Sequence, residues 1–260
     1  MKQGWLIGCV VTALLFTSGC VTQRTYKGTD RPVTDSGFNK DNAALERMQL
    51  GLTYLKRGNT EQAKYNLEKA MEYAPNLEEV HIAMAYYYQK VGDITRTERA
   101  YDRAIRSRNV TGDAYNNFGV FLCEQKKFSR SEKMFLKAIN MPKYTRTADS
   151  YENLGLCMEA SGDLSKAAQY FESALKYDSR RANSILELAR IRLTLQQLSA
   201  AKLRLEQYHK LAIATPLSLQ LGIDIARAQK DNDAVKHYGL TLLAKYPKSQ
   251  QAKQFRASMH

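Results

Sequence analysis

The chain has 260 residues, of which 39 are lysine or arginine and 26 are aspartate or glutamate, so its formal net charge at pH 7 is +13. An excess of this size raises the question of nucleic-acid binding. The residues of the densest basic cluster, however, have mixed spacings on outward positions; they are Lys126, Lys127, Arg130, Lys133 and Lys137. We interpret the cluster as a solvated face and predict no nucleic-acid partner. The alternative is an attraction to anionic lipid headgroups or to an acidic protein surface.

The first 19 residues have the organisation of a secretory signal peptide. Met1 and Lys2 form a short basic start, and a mostly apolar run extends from Trp5 to Phe16. The run has the length of a signal-peptide core and is shorter than the roughly 20 apolar residues that span a bilayer. Small residues then precede Cys20, as in the bacterial lipobox. We predict cleavage after residue 19 and acylation of Cys20; the alternative is an ordinary signal peptide with an incidental cysteine.

Residues 20–41 are predicted to be the lipidated cysteine and a flexible polar tether, because they contain Gly28, Pro32 and Gly37 and show no helical periodicity. Two or more acyl chains hold a protein stably on a membrane. Val21 stands where the inner-membrane retention signal of bacterial lipoproteins has aspartate. This resemblance implies anchoring to the periplasmic face of the outer membrane.

A repeat of about 34 residues occupies most of the remaining chain. The first copy carries its marks at Leu50, Gly51, Tyr54, Ala63, Leu67, Ala70 and Pro75. The spacing is that of the tetratricopeptide repeat, which predicts an all-α solenoid of about six helix-turn-helix pairs in a right-handed superhelix. We place the array at residues 42–249, with a C-terminal tail at 250–260. The repeats are expected at about 44–77, 78–111, 112–145, 148–181, 182–215 and 216–249.

The residue types of the repeat have physical reasons. Gly51, Gly119 and Gly155 are expected where two helices cross closely, and Leu50, Tyr54 and Leu67 are expected to form the packed seam beside the first crossing. Within a pair, a glycine followed by Asn or Asp is typical of a turn that ends one helix and caps the next. These turns are predicted at Gly58, Gly92 and Gly162.

The first helices of such repeats line a concave surface. In the first two repeats the predicted inner positions are unusually apolar, and an apolar patch of this kind usually marks an interaction site. The predicted partner-binding residues are Met48, Leu52, Leu55, Ile82, Tyr86, Asn116 and Val120. Alternatively, the tether or a short helix near residues 39–44 covers the patch. The irregular last pair, closing with residues 250–260, is expected to cap the array.

Of the four cysteines, Cys9 leaves with the leader and Cys20 is the anchor. Cys123 and Cys157 fall on the first helices of repeats three and four, at repeat positions that differ by two. An oxidising periplasm would permit a disulfide. Because the two positions should point differently, we expect two buried thiols instead.

The sequence contains no recognisable catalytic constellation. The four histidines do not pair with each other or with cysteine at metal-ligand spacings; they are His81, His209, His237 and His260. Nucleophile elbows and phosphate-binding glycine loops are also missing. We therefore predict no enzymatic activity, no metal, no cofactor and no small-molecule substrate.

Several segments resemble the PilF/PilW family of type IV pilus biogenesis lipoproteins. They are residues 48–64, 116–126 and 151–156, with a late stretch around 221–223, 238–240 and 246–247. The resemblance covers nearly all of the mature chain, including the lipobox and the six-repeat organisation. It implies a pilotin, which helps the ring-forming secretin to reach the outer membrane and multimerise, and it implies a role in twitching motility.

The alternative function uses the same fold and anchor. In it, the array is a scaffold that recruits cell-wall synthesis or hydrolysis enzymes. Deletion would then alter cell shape or lysis, whereas loss of a pilotin would abolish secretin multimers and twitching motility.

Overall fold

The computed structural model describes residues 39–259, which form thirteen α-helices and no β-strand. They are α1 (Lys40–Lys56), α2 (Thr60–Tyr73), α3 (Glu78–Lys90), α4 (Ile94–Ala104), α5 (Gly112–Glu124), α6 (Phe128–Ile139), α7 (Thr147–Ala160), α8 (Leu164–Tyr177), α9 (Ala182–Thr194), α10 (Leu198–Leu211), α11 (Pro216–Ala228), α12 (Asn232–Lys245) and α13 (Gln250–Ala257). Helices α1 to α12 pack as six consecutive pairs. The predicted all-α tetratricopeptide solenoid is confirmed.

The predicted signal peptide (1–19), Cys20 and the tether as far as residue 38 lie outside the described residues. The last two residues of the predicted tether belong to a helix, because α1 begins at Lys40. Between residues 39 and 259, every helix is too short or too polar to cross a bilayer.

Close helix crossings occur where the glycines predicted them. A β-carbon on Gly51 would lie 2.7 Å from Leu67 Cγ and 3.2 Å from the Ala63 carbonyl oxygen. In the same way, a β-carbon on Gly119 would lie too close to the ring of Phe135, and one on Gly155 too close to the ring of Phe171. Because each glycine admits a large side chain of the second helix, the hairpin closes over a dense core.

The turns inside the pairs also follow the prediction. Gly58, Gly92 and Gly162 have positive φ angles of 80°, 78° and 88°, in the left-handed region that glycine enters without strain. The next residue accepts a hydrogen bond from the backbone N–H three positions on, in Asn59, Asp93 and Asp163. Each turn therefore ends one helix and caps the following one.

The seam predicted around the first crossing is correct only in part. Leu67 is fully buried and Tyr54 is half-buried, whereas Leu50 is 41% exposed. At the same mark in the second and third repeats, Met84 and Phe118 are buried against the preceding repeat. Leu50 remains exposed because no preceding repeat among the described residues covers this face of α1.

The predicted C-terminal tail is largely helical, as α13. Phe255 of α13 is buried and fills the space beside Gly239 of α12, where a β-carbon would collide with its ring. The aromatic side chain thus covers the last pair, in agreement with the expected capping role.

The prediction of two thiols was wrong, because Cys123 on α5 and Cys157 on α7 form a disulfide with a Cα–Cα distance of 5.7 Å. A difference of two repeat positions is a rotation of about 200° around a helix. Laterally packed helices contact each other through opposite sides, so residues at different repeat positions meet. The bond joins the third repeat to the fourth.

Candidate partner-binding groove

A groove with a volume of about 700 Å³ opens across the first helices of repeats one to three. We call it the α1–α3–α5 groove; it is lined by Met48, Leu52, Lys56, Glu79, Ile82, Ala83, Tyr86, Gln89, Tyr101, Asn117 and Val120. The repeat positions the lining side chains of α1, α3 and α5, because residues three or four apart on one helix face the same side. Its lining combines apolar side chains with polar and charged ones.

Five of the seven predicted binding residues line this groove, namely Met48, Leu52, Ile82, Tyr86 and Val120. The other two do not. Leu55 is only 8% exposed and belongs to the core between the first two repeats. Asn116 is buried and its side-chain oxygen accepts hydrogen bonds from Ser150 Oγ at 2.9 Å and from Asn153 Nδ2 at 3.2 Å. That amide therefore joins α5 to α7.

The predicted binding residues omitted five polar members of the groove, which are Lys56, Glu79, Gln89, Tyr101 and Asn117. Asn117, the neighbour of Asn116, lies in the lining, and a one-residue shift along α5 would have identified it. Tyr101 comes from a second helix, α4, and its ring stacks on Phe118 with centroids 5.5 Å apart. The only sequence signal for Tyr101 was its place on a repeat mark, where an aromatic side chain is long enough to reach between two first helices.

Neutral hydrogen-bonding groups and a few charges surround the apolar surface. Burial raises the pKa of Tyr101 to about 12, with smaller contributions from Glu124 and Tyr86, so its phenol remains protonated at neutral pH. Gln89 Nε2 donates to Glu124 Oε2 at 2.7 Å. Lys90 lies 5.4 Å from the ring centroid of Tyr86. An apolar surface with fixed donors and acceptors at its edge suits the side chains and backbone of another protein.

The groove lining contains no histidine, no cysteine and no nucleophile held beside a base. Elsewhere in residues 39–259, His, Cys, Asp and Glu side chains do not form groups of three or more that could hold a metal ion.

The basic cluster on and before α6 is more structured than a solvated face. Lys127 and Arg130 both donate to the carboxylate of Glu98 on α4, and Arg130 also lies 5.8 Å from the ring centroid of Phe118. These two cations help to join the second and third repeats. Lys126, Lys133 and Lys137 are exposed, as predicted.

Comparison with known proteins shows what this arrangement is related to. Models of the tetratricopeptide repeat match residues 47–77 and 110–180. The Type IV pilus assembly protein PilF of Pseudomonas aeruginosa is 33% identical over 241 residues, which cover 92% of this chain and 93% of that protein. An uncharacterized protein of Haemophilus influenzae is 36% identical over 182 residues, or 70% of this chain and 96% of that protein.

Two solved structures extend the similarity to three dimensions. Pseudomonas aeruginosa PilF has a TM-score of 0.70 at 32% identity, covering 84% of this chain and 99% of the other. PilW, described as a widely conserved type IV pilus biogenesis factor, has a TM-score of 0.69 at 24% identity, covering 81% and 97%. With one third of its residues identical to PilF over nearly the full length of both proteins, the chain belongs to the PilF/PilW family of tetratricopeptide-repeat proteins of type IV pilus biogenesis.

Proposed function

We propose that this protein is an outer-membrane lipoprotein pilotin that binds the type IV pilus secretin and promotes its localisation and multimerisation. The observation that carries the proposal is the α1–α3–α5 groove, a partly open apolar surface in a chain related to a type IV pilus assembly protein. The array holds another protein and performs no chemistry on it.

The groove suits a helix or an extended segment of the partner. It offers the half-buried side chains of Leu52, Ile82 and Val120 together with Tyr86, which is 41% exposed. Covering apolar surface of this kind stabilises a complex by about 25 cal/mol per Å² of apolar area removed from water. The half-buried amide of Asn117 in the lining provides a hydrogen bond that orients a bound segment.

The sequence suggested two alternatives in which the N-terminus covers this surface, and the structure does not contain the one with a short separate helix near residues 39–44. Residues 40–44 are the first turn of α1 and continue without a break into the groove residues Met48 and Leu52. They do not form a separate helix over the groove. Coverage by the tether would involve residues outside the described part of the chain.

Substitution of the groove tests the site. Leu52→Gln combined with Tyr86→Gln should retain the fold, because both side chains are partly exposed, and should reduce secretin multimers at least tenfold on immunoblots of native membranes. The matched control is Leu203→Gln combined with Tyr65→Gln, since those side chains are 63% and 52% exposed and lie outside the groove. Normal multimers in the groove variant would contradict the proposed site, and altered cell shape with normal multimers would favour the cell-wall scaffold.

Substitution of Cys20 tests the anchor. Cys20→Ala removes the predicted acylation site, so the protein should leave the outer-membrane fraction and appear in the soluble or inner-membrane fraction. Fractionation of the variant and of wild type, followed by immunoblotting, measures this directly. Cys9→Ala is the control, because it alters the leader without altering the acylated residue. Unchanged outer-membrane fractionation of Cys20→Ala would contradict the anchor assignment.

A further inference from the structure

A second cavity lies on the opposite face of the first two repeats, between α2 and α4 and above α3. We call it the convex cleft; its volume is about 580 Å³. It is lined by Glu68, Met71, Glu72, His81, Met84, Tyr88, Arg96, Arg99, Ala100 and Arg103. The α1–α3–α5 groove shares none of these residues, so the two cavities are separate surfaces.

The charges across the convex cleft are not neutralised in the way that they are in later repeats. Glu132 on α6 pairs with Lys166 on α8 at 3.1 Å, and Glu172 on α8 pairs with Arg192 on α9. By contrast, no carboxylate of the described residues lies within ion-pair distance of Arg99 or Arg103.

The opposite wall explains why these two arginines remain available. Glu68 pairs with Lys64 at 3.8 Å and Glu72 pairs with Lys69 at 2.7 Å, both on their own helix α2. Arg96 is held by Asp93 at 2.6 Å and lies 5.1 Å from the ring centroid of Tyr88. Two guanidinium groups one helical turn apart on α4 therefore face the cleft with their hydrogen-bond donors unused.

The floor of the cleft contains a buried polar atom with no partner. His81 is 5% exposed, and its Nδ1 makes no hydrogen bond to any described residue. Burial lowers the pKa of His81, the Pro75 carbonyl opposes that shift and Arg103 adds to it, so the surroundings favour the neutral form of the ring. A buried polar atom without a partner is costly in a folded protein and usually has a reason.

We propose that the convex cleft is a second protein-binding site that takes an acidic side chain carried on an apolar segment of a partner. The carboxylate lies between the guanidinium groups of Arg99 and Arg103, which bind carboxylates through paired N–H donors. Apolar neighbours of the acidic residue pack on Met71 and Tyr88, which are partly buried.

The cleft favours a polypeptide over an anionic membrane surface. Glu68 and Glu72 form one wall, and their carboxylates repel a dense layer of phosphates while tolerating a single carboxylate on the far side. The apolar floor also has no function against headgroups, whereas it suits the side chains beside an acidic residue. A polypeptide additionally supplies backbone N–H and C=O groups close to the His81 ring.

Short peptides can test the site on the full-length protein. The probes are acetyl-leucyl-glutamyl-leucine amide and its glutaminyl counterpart, which differ only in the charge of the central residue. Binding is followed through the ring signals of ¹⁵N-histidine, which are few because the chain has four histidines, and His81→Gln assigns the signal from the cleft. The glutamyl peptide should shift the His81 signal and bind about tenfold more tightly than the glutaminyl peptide.

Variants identify the groups responsible. Arg99→Gln combined with Arg103→Gln should abolish the preference for the glutamyl peptide. Arg57→Gln combined with Arg106→Gln makes the same change of charge at two exposed residues outside the cleft, and it should retain the preference. The groove variant Leu52→Gln with Tyr86→Gln should bind the peptides as wild type does. The peptide test of the convex cleft therefore gives the same result whether or not the pilotin proposal is correct.

Several outcomes would overturn the proposal. Equal binding of the two peptides by wild type does so without any variant, and so does a preference that survives loss of Arg99 and Arg103. A His81 shift produced by phosphatidylglycerol vesicles and by neither peptide would assign the cleft to the membrane. An equal affinity for inorganic phosphate would make it a general anion site.

Discussion

Replacing Gly51 with leucine should unfold the first helical pair and lower the free energy of unfolding by about 3 kcal/mol or more. The added β-carbon would lie 2.7 Å from Leu67 Cγ, which a rotamer change could relieve, but also 3.2 Å from the Ala63 backbone oxygen. The larger side chain must therefore separate α1 from α2. Urea denaturation followed by circular dichroism measures the loss, together with a lower helical signal before the main transition, because the end of a repeat array can unfold by itself.

Two controls separate the crossing from a general effect of leucine on α1. Gln49→Leu places the same side chain on an exposed neighbour of Gly51 and should change stability by less than about 0.5 kcal/mol. Gly51→Ala should be intermediate, because the second repeat already accommodates buried Ala85 at the equivalent position. A wild-type denaturation curve for Gly51→Leu would contradict the helix register on which the fold depends.

Removing the disulfide should lower the free energy of unfolding by about 3–4 kcal/mol. Cys123 and Cys157 are 34 residues apart in sequence, and a cross-link over a loop of that length restricts the unfolded chain by roughly this amount. The bond also joins α5 to α7 directly, so its loss should allow the third and fourth repeats to separate earlier. The measurement is chemical denaturation of Cys123→Ser with Cys157→Ser beside the oxidised wild type.

Reduction provides the matched control for the disulfide. Wild type treated with dithiothreitol should fall close to the double variant, whereas the double variant itself should not respond to the reagent. Cys157 is buried, with Ser131 Oγ 3.3 Å from its sulfur, so a serine there keeps a polar neighbour. Equal stability of the double variant and oxidised wild type would show that the bond contributes nothing to the native array.

Sequence alone determined the features that repeat with the period of the fold. The glycines at the crossings, the turns at Gly58, Gly92 and Gly162, and the order of the helical pairs were all predictable. They depend on contacts inside one hairpin, between residues at most about 20 positions apart. Five groove residues could also be predicted, because a period of 3.6 residues assigns each position on a first helix to a face.

The tertiary structure decided what depends on the contact between one hairpin and the next. The side of α5 that meets α7 determined that Cys123 reaches Cys157, and that Asn116 is buried while Asn117 faces the groove. The convex cleft arose in the same way, since its arginines and carboxylates come from different repeats. A repeat pattern determines which residues each hairpin presents to its neighbours. The angle and offset at which the hairpins stack then determine which of these residues touch. That geometry depends on packing along the whole array, so it could not be read from one repeat.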